Sequence, residues 1–249
     1  MKIIVRNLAI EYQDEGAGPV MLFLHGWQDD LHTFDLLVPF LSPARRIIRL
    51  DLPGFGQSEK PKESWDLDKY ARFVSDFAKK LDISIDMLAG HSFGGRIAIK
   101  SEVAGYLHPR KIILMASAGV AKRRTSRNAI FQFFAKIGKI ATSVPPLIFW
   151  REKLHRRMYR LIGSDYASAG ALKETFLKII SEDLSESARK ITVPTLLIWG
   201  ARDTETPLSE GEYLSRLIRD SRLRVIGDAG HFVHRERPKD VARLIREFL

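Results

Sequence analysis

The chain of 249 residues contains no cysteine, which excludes disulfides, thiolate nucleophiles and Cys-based zinc sites. It also lacks any apolar run approaching the roughly 18 to 20 residues that span a bilayer, so an integral membrane protein is not expected. Met1-Lys2-Ile3-Ile4-Val5-Arg6 has charges on both sides of a very short apolar patch. It reads as a strand without the apolar core of a secretory signal, and a cytoplasmic location is the expectation. Internal repeats and low-complexity stretches are absent too. An excess of either sign of charge is missing from most of the chain: eleven Lys or Arg lie between Lys122 and Arg160 against one acid, Glu152, so this segment carries the whole formal net charge of +10. What remains, 45% hydrophobic and 28% charged residues, is the composition of a folded globular domain able to bury a sizeable core.

Period and punctuation place strands near residues 2–5, 8–12, 20–24, 46–50, 85–89, 111–116, 193–199 and 222–226. Continuous apolar runs such as Val20-Met21-Leu22-Phe23-Leu24 and Thr195-Leu196-Leu197-Ile198-Trp199 are those of parallel strands covered on both faces. Helical patterns at 33–41, 65–81, 93–105, 208–219 and 238–249 alternate with them, which implies a mostly parallel sheet with crossover helices. The first two strands lie close enough to form an antiparallel edge. Between about Gly119 and Ile191 the alternation stops and gives way to amphipathic segments, interrupted by Pro145-Pro146. The expected organisation is therefore a core from 1–119 and 192–249 with a helical insertion at 120–191.

Gly90-His91-Ser92-Phe93-Gly94 lies between an apolar strand and a packed helix. Its glycines suit a turn too tight for side chains, which would hold Ser92 in a strained conformation with its hydroxyl above the sheet. The N–H of Phe93, at the helix start, would face a developing oxyanion. A serine at its normal pKa needs a base within hydrogen-bond reach, itself oriented by a third group. Loops after later strands offer both, in Gly200-Ala201-Arg202-Asp203 and Gly227-Asp228-Ala229-Gly230-His231. Asp203 is the first choice of acid, with Glu205 and Asp228 as alternatives. His231 is the first choice of base, with His234 nearby and His25 and His91 readable as buried, hydrogen-bonded residues. His231-x-x-His234-x-Glu236 superficially suggests a metal site, but no helical pattern precedes it and Pro238 follows, so no metal is expected.

With these motifs in order, the chain resembles the α/β-hydrolases: His25-Gly26-Trp27, Asp51-Leu52-Pro53-Gly54-Phe55-Gly56-Gln57-Ser58, Gly90-His91-Ser92-Phe93-Gly94-Gly95, Gly200-Ala201-Arg202-Asp203 and Gly230-His231 all match that family's pattern. The resemblance implies an α/β-hydrolase fold, with a mostly parallel eight-stranded sheet, flanking helices and an inserted helical cap. It implies Ser92 as nucleophile, His231 as general base and then acid, Asp203 as the residue orienting the imidazole, and an oxyanion hole from the backbone N–H groups of Trp27 and Phe93. Asp51 to Ser58 is read as a structural turn. Pocket candidates are His25, Phe232 and, on the cap, Phe131, Phe134, Phe149, Trp150 and Met158.

The serine excludes the reactions of relatives with an aspartate nucleophile. An acyl-enzyme on serine means an ester, thioester, lactone or activated amide, and hydrolysis of a small-molecule carboxylic ester without a cofactor is the leading expectation. Alternatives are a carbon–carbon bond hydrolase of diketo acids, a cofactor-free perhydrolase or haloperoxidase and, from another class, a ligand receptor on a hydrolase scaffold. The first of these often carries Trp after the catalytic His, where this chain has Phe232. No nucleic-acid partner is expected. The basic cap face has three readings: a solvated exterior, a surface for weak association with anionic membranes, or a source of an arginine for a substrate carboxylate.

Overall fold

The computed structural model describes residues 1–120 and 170–249. Outside them lie the basic segment Lys122–Arg160, the pocket candidates Phe131, Phe134, Phe149, Trp150 and Met158, and most of the expected 120–191 insertion.

Eight strands form one sheet: β1 (Lys2–Val5), β2 (Leu8–Glu15), β3 (Val20–Leu24), β4 (Arg46–Leu50), β5 (Ile85–His91), β6 (Lys111–Met115), β7 (Thr195–Gly200) and β8 (Ser221–Ile226). Their order is β1-β2-β4-β3-β5-β6-β7-β8. β1 to β2 and β2 to β4 are antiparallel, and every other pairing is parallel. The central strands β3 and β7 are buried along their whole length, as both faces of the sheet are covered. β8 closes the sheet with Arg222, Arg224 and Val225 exposed, and its charged side chains discourage pairing with a further strand.

Seven α-helices stand among the described residues: α1 (Leu67–Lys80), α2 (Phe93–Val103), α3 (Lys173–Ser181), α4 (Ser185–Arg189), α5 (Leu208–Leu217), α6 (Val233–Glu236) and α7 (Pro238–Phe248). α1 starts where the Asp66 side chain accepts the N–H of Lys69, and buries Leu67, Tyr70, Phe73, Val74 and Phe77 at helical spacing. One core layer packs α1, α2 and α5 against the sheet; the other packs α7, through Val241, Ala242, Ile245 and Phe248, against the opposite face.

The helix expected over 33–41 is instead two short 3₁₀ turns, Leu31–Phe34 and Val38–Phe40. Pro39 has no N–H for an i to i−4 bond, so an α-helix cannot run through it. α4 and α6, each of five residues or fewer, are too short to leave a periodic signal. No described helix is long and apolar enough to cross a membrane.

The topology positions the site. From β3 the chain moves to β4 on one side and then to β5 on the other, so the segments leaving β3 and β5 diverge around a crevice at their carboxyl ends. Such a switch point is where open α/β sheets bind ligands.

Candidate active site

Ser92 sits between β5 and α2 with φ +48° and ψ −109°, a backbone conformation strained for any residue with a side chain. The surrounding packing enforces it. A Cβ on Gly90 would come within 2.4 Å of the Gly94 backbone, and one on Gly94 within 2.1 Å of the Leu24 carbonyl oxygen. The elbow is tied down by Ser92 N–H donating to the Met115 carbonyl at 3.1 Å, and by the Ser92 carbonyl accepting from Ala118 N–H at 3.2 Å. Phe93 opens α2, so its N–H has no acceptor within the helix and belongs to the positive end of the helix dipole.

After β7, Asp203 is almost completely buried and points at His231, with Oδ2 2.9 Å from Nδ1. Its Oδ1 accepts the N–H groups of Glu205 and Thr206, each at 2.9 Å. The Thr206 hydroxyl is 2.9 Å from Asp203 Oδ2 and 3.0 Å from the Ala116 carbonyl. Burial pushes the Asp203 carboxyl upward, but the hydrogen bonds from His231 and Thr206 outweigh it and hold the group below its ordinary value. The loop is anchored from beneath by wholly buried Trp199, whose Nε1–H donates to the Thr206 carbonyl at 2.8 Å.

The alternatives to Asp203 and His231 take different positions. Glu205, half-exposed, lies 3.5 Å from Nε2, the opposite edge of the His231 ring from Asp203. Asp228 pairs with Arg237. His234 is fully buried and reaches the Thr33 hydroxyl at 2.9 Å; burial first, then the neighbouring Arg235 and His231, lower its pKa to about 3. Glu236 accepts the N–H of Gly230 at 2.8 Å. The His231, His234 and Glu236 side chains therefore have three separate partners.

A cavity of about 160 Å³ is lined by Ser92, His231, Glu205, Thr206, Trp27, Phe93, Arg96, Ala118, Phe176, Ile179 and Ile180. Trp27 packs at 5.6 Å from the Phe93 ring and 5.0 Å from that of Phe176. Two pocket candidates lie elsewhere. His25 is a buried staple: Nδ1–H donates to the Gly26 carbonyl at 2.7 Å and Nε2 accepts the Leu52 N–H at 2.9 Å. Phe232 packs tilted against His91 and edge-on against His231 and does not line the cavity. Asp51 takes the structural part expected of its turn, with Oδ1 accepting from Leu31 N–H at 2.8 Å and Oδ2 from Gln57 N–H at 2.6 Å.

Arg96 is a wall residue that sequence reading did not single out. It stands one helical turn after Ser92, and that spacing is the signal that could have found it. Its guanidinium donates to the Ile179 carbonyl at 2.6 Å and to the Glu182 carbonyl, joining α2 to the end of α3. Burial lowers its pKa to about 10, so it remains a cation at neutral pH. Thr206 was also missed, though an Asp followed three residues later by Thr is a recurrent local hydrogen-bonding pattern.

The sheet order and the turn at Ser92 together define the α/β-hydrolase fold. The family model described as "Alpha/beta hydrolase family" matches residues 21–244, and the chain belongs to that family. It is 26% identical over 259 residues to the uncharacterized hydrolase YugF of Bacillus subtilis (strain 168), covering 98% of this chain and 94% of that one. A second relative is the 2-hydroxymuconate semialdehyde hydrolase of Pseudomonas sp. (strain CF600), 26% identical over 263 residues, covering 100% of this chain and 93% of the relative. Among solved structures, a membrane phospholipase A described as a bacterial virulence factor superposes with a TM-score of 0.79 at 26% identity, over 100% of this chain and 84% of that one.

Proposed function

We propose that the protein hydrolyses carboxylic esters through an acyl-enzyme on Ser92. The observation that carries this reading is Ser92, strained at a helix start, opening into the same cavity as a histidine whose Nδ1 is held by a buried carboxylate. Asp203 accepts from Nδ1–H and so fixes the tautomer that leaves a lone pair on Nε2, the atom that would take the proton from the Ser92 hydroxyl as it attacks the ester carbonyl. The oxyanion would be met by the N–H of Phe93 and, from the loop after β3, that of Trp27. His231 then returns the proton to the departing alkoxide, and a water activated by the same nitrogen releases the acid. Trp27, Phe93, Phe176, Ile179 and Ile180 give the cavity an apolar wall suited to an acyl chain.

A second reading, carbon–carbon bond hydrolysis of a diketo acid, is favoured by the buried cation Arg96 in the cavity wall, a partner for a substrate carboxylate. It also agrees with the name of the semialdehyde hydrolase relative. Opposing it, Glu205 brings a carboxylate to the same cavity. One panel decides between them: p-nitrophenyl esters of graded acyl length, lactones and diketo acids compared by kcat/KM. Preference for uncharged esters is expected, and preference for a diketo acid would replace the first reading with the second.

A further inference from the structure

Behind His231 lies a second polar cluster that the acyl-transfer chemistry does not use. One donor atom from each of Asp29, His91 and His234 lies within 4.8 Å of the other two. Each of these residues also carries a buried atom without a hydrogen-bond partner among the described residues: Asp29 Oδ2, His91 Nδ1 and His234 Nδ1. The opposite atoms are engaged. Asp29 Oδ1 accepts the Asp30 N–H at 3.0 Å, His91 Nε2–H donates to the His231 carbonyl at 3.0 Å, and His234 Nε2 meets the Thr33 hydroxyl at 2.9 Å. Both imidazoles are at most 1% exposed, where an unmet polar atom is costly.

The tautomers say what is missing. A carbonyl oxygen only accepts, so His91 keeps its proton on Nε2 and presents a lone pair at Nδ1. Asp29 Oδ2 presents another. His234 Nε2 either donates to the Thr33 hydroxyl or accepts from it; in the tautomer that donates, its Nδ1 presents a third. A water molecule donates only two hydrogen bonds and would leave one of three lone pairs unmet, whereas a cation meets all three. A Cβ at position 26 would stand 2.9 Å from His91 Nδ1, so glycine there avoids crowding that nitrogen.

We propose that Asp29, His91 and His234 bind a divalent transition-metal ion such as Zn²⁺, with solvent as further ligand. Two imidazoles and one carboxylate are a ligand set that such ions favour over Mg²⁺ or Ca²⁺. Ligand atoms around tetrahedral zinc stand roughly 3.3 Å apart at bond lengths of about 2.0–2.1 Å, so the cluster must contract on binding. Asp29, on a loop and only partly buried, supplies that movement. The role is structural. Asp29 follows Trp27 by two residues, His91 adjoins Ser92 and His234 follows His231 by three, so one ion would fasten together the three segments that carry the candidate active site.

The test uses the full chain, stripped with EDTA and then titrated at pH 7.5 with Co²⁺ or Zn²⁺ alone. One equivalent of Co²⁺ per chain with visible ligand-field absorption is expected, together with retention of one zinc by elemental analysis after desalting. Zn²⁺ at about a hundred times its Kd should raise Tm by roughly 5–10 °C. Asp29→Asn and His234→Gln should each weaken affinity at least tenfold, while His32→Gln, on an exposed histidine, should not. Asp29→Asn is the milder variant and keeps the test valid if His234→Gln does not fold. Absence of stoichiometric binding, binding that survives both variants, or a crystal soaked in Zn²⁺ showing only an ordered water would each overturn the proposal.

Discussion

Two polar clusters stand back to back at the carboxyl end of the sheet, joined by the hydrogen bond from His91 Nε2 to the His231 carbonyl. In the front cluster the buried carboxylate of Asp203 is surrounded by donors from His231, Glu205 and Thr206. In the rear cluster Asp29, His91 and His234 each keep a buried atom with no hydrogen-bond partner among the described residues. The difference fits the two tasks we propose for them. A group that orients a catalytic imidazole must already be fully hydrogen-bonded, since its position determines the geometry of proton transfer. A ligand site must keep lone pairs in reserve.

The largest effects belong to the front cluster. Ser92→Ala should lower kcat for p-nitrophenyl butyrate by about 10⁴–10⁶-fold with the fold intact by circular dichroism; turnover within tenfold of wild type would remove Ser92 from the chemistry. Next comes Asp203→Asn, expected to cost about 10⁴-fold in kcat by favouring the wrong tautomer of His231. Asp228→Asn, whose carboxylate pairs with Arg237, should stay within about twofold on the same assay. If the two results were exchanged, the comparison between the clusters would fail at its first step, because the orienting carboxylate would lie in neither.

Arg96 gives a smaller effect read in stability. Replacing it with Met removes the donor shared by the Ile179 and Glu182 carbonyls and leaves Glu182 without one of its cationic neighbours. Loss of about 1–3 kcal/mol is expected, seen as a Tm lower by roughly 2–10 °C. An unchanged Tm would mean that α3 is held to the cavity by apolar packing of Phe176 and Ile179 alone.

How much of this the chain announces depends on how each feature is encoded. The elbow is legible because its steric demand is local: glycines two residues either side of Ser92 record a turn that tolerates no Cβ. β3 and β7 are legible for a similar reason, since burial on both faces leaves uninterrupted apolar runs. Asp203 and His231 can be proposed from their places after strands, but choosing them over Glu205 and His234 takes the ring geometry of His231. The rear cluster was not readable at all. Thr33 and His234, which meet at 2.9 Å, are 201 residues apart, and nothing local to Asp29 says that His91 will be its neighbour. Pairings across a topological switch point exist only once the sheet order is known.

The smallest effect tests the front cluster without an assay of turnover. The folded-state pKa of Asp203 is held below its ordinary value of 3.8, with burial opposing and the His231 and Thr206 hydrogen bonds prevailing. Between the two values the unfolded chain binds more protons than the folded one, so the contribution of this carboxylate is fully present above the unfolded pKa. It is lost as pH falls through the lower, folded pKa. The stability difference between wild type and Asp203→Asn, from urea midpoints at a series of pH values between about 5 and 2, where the carboxylate titrates, should therefore shrink steadily as the pH falls. A difference that grew on acidification would mean that the folded state favours the protonated acid, and the carboxylate could then not be the group that holds the His231 imidazole ready to accept a proton.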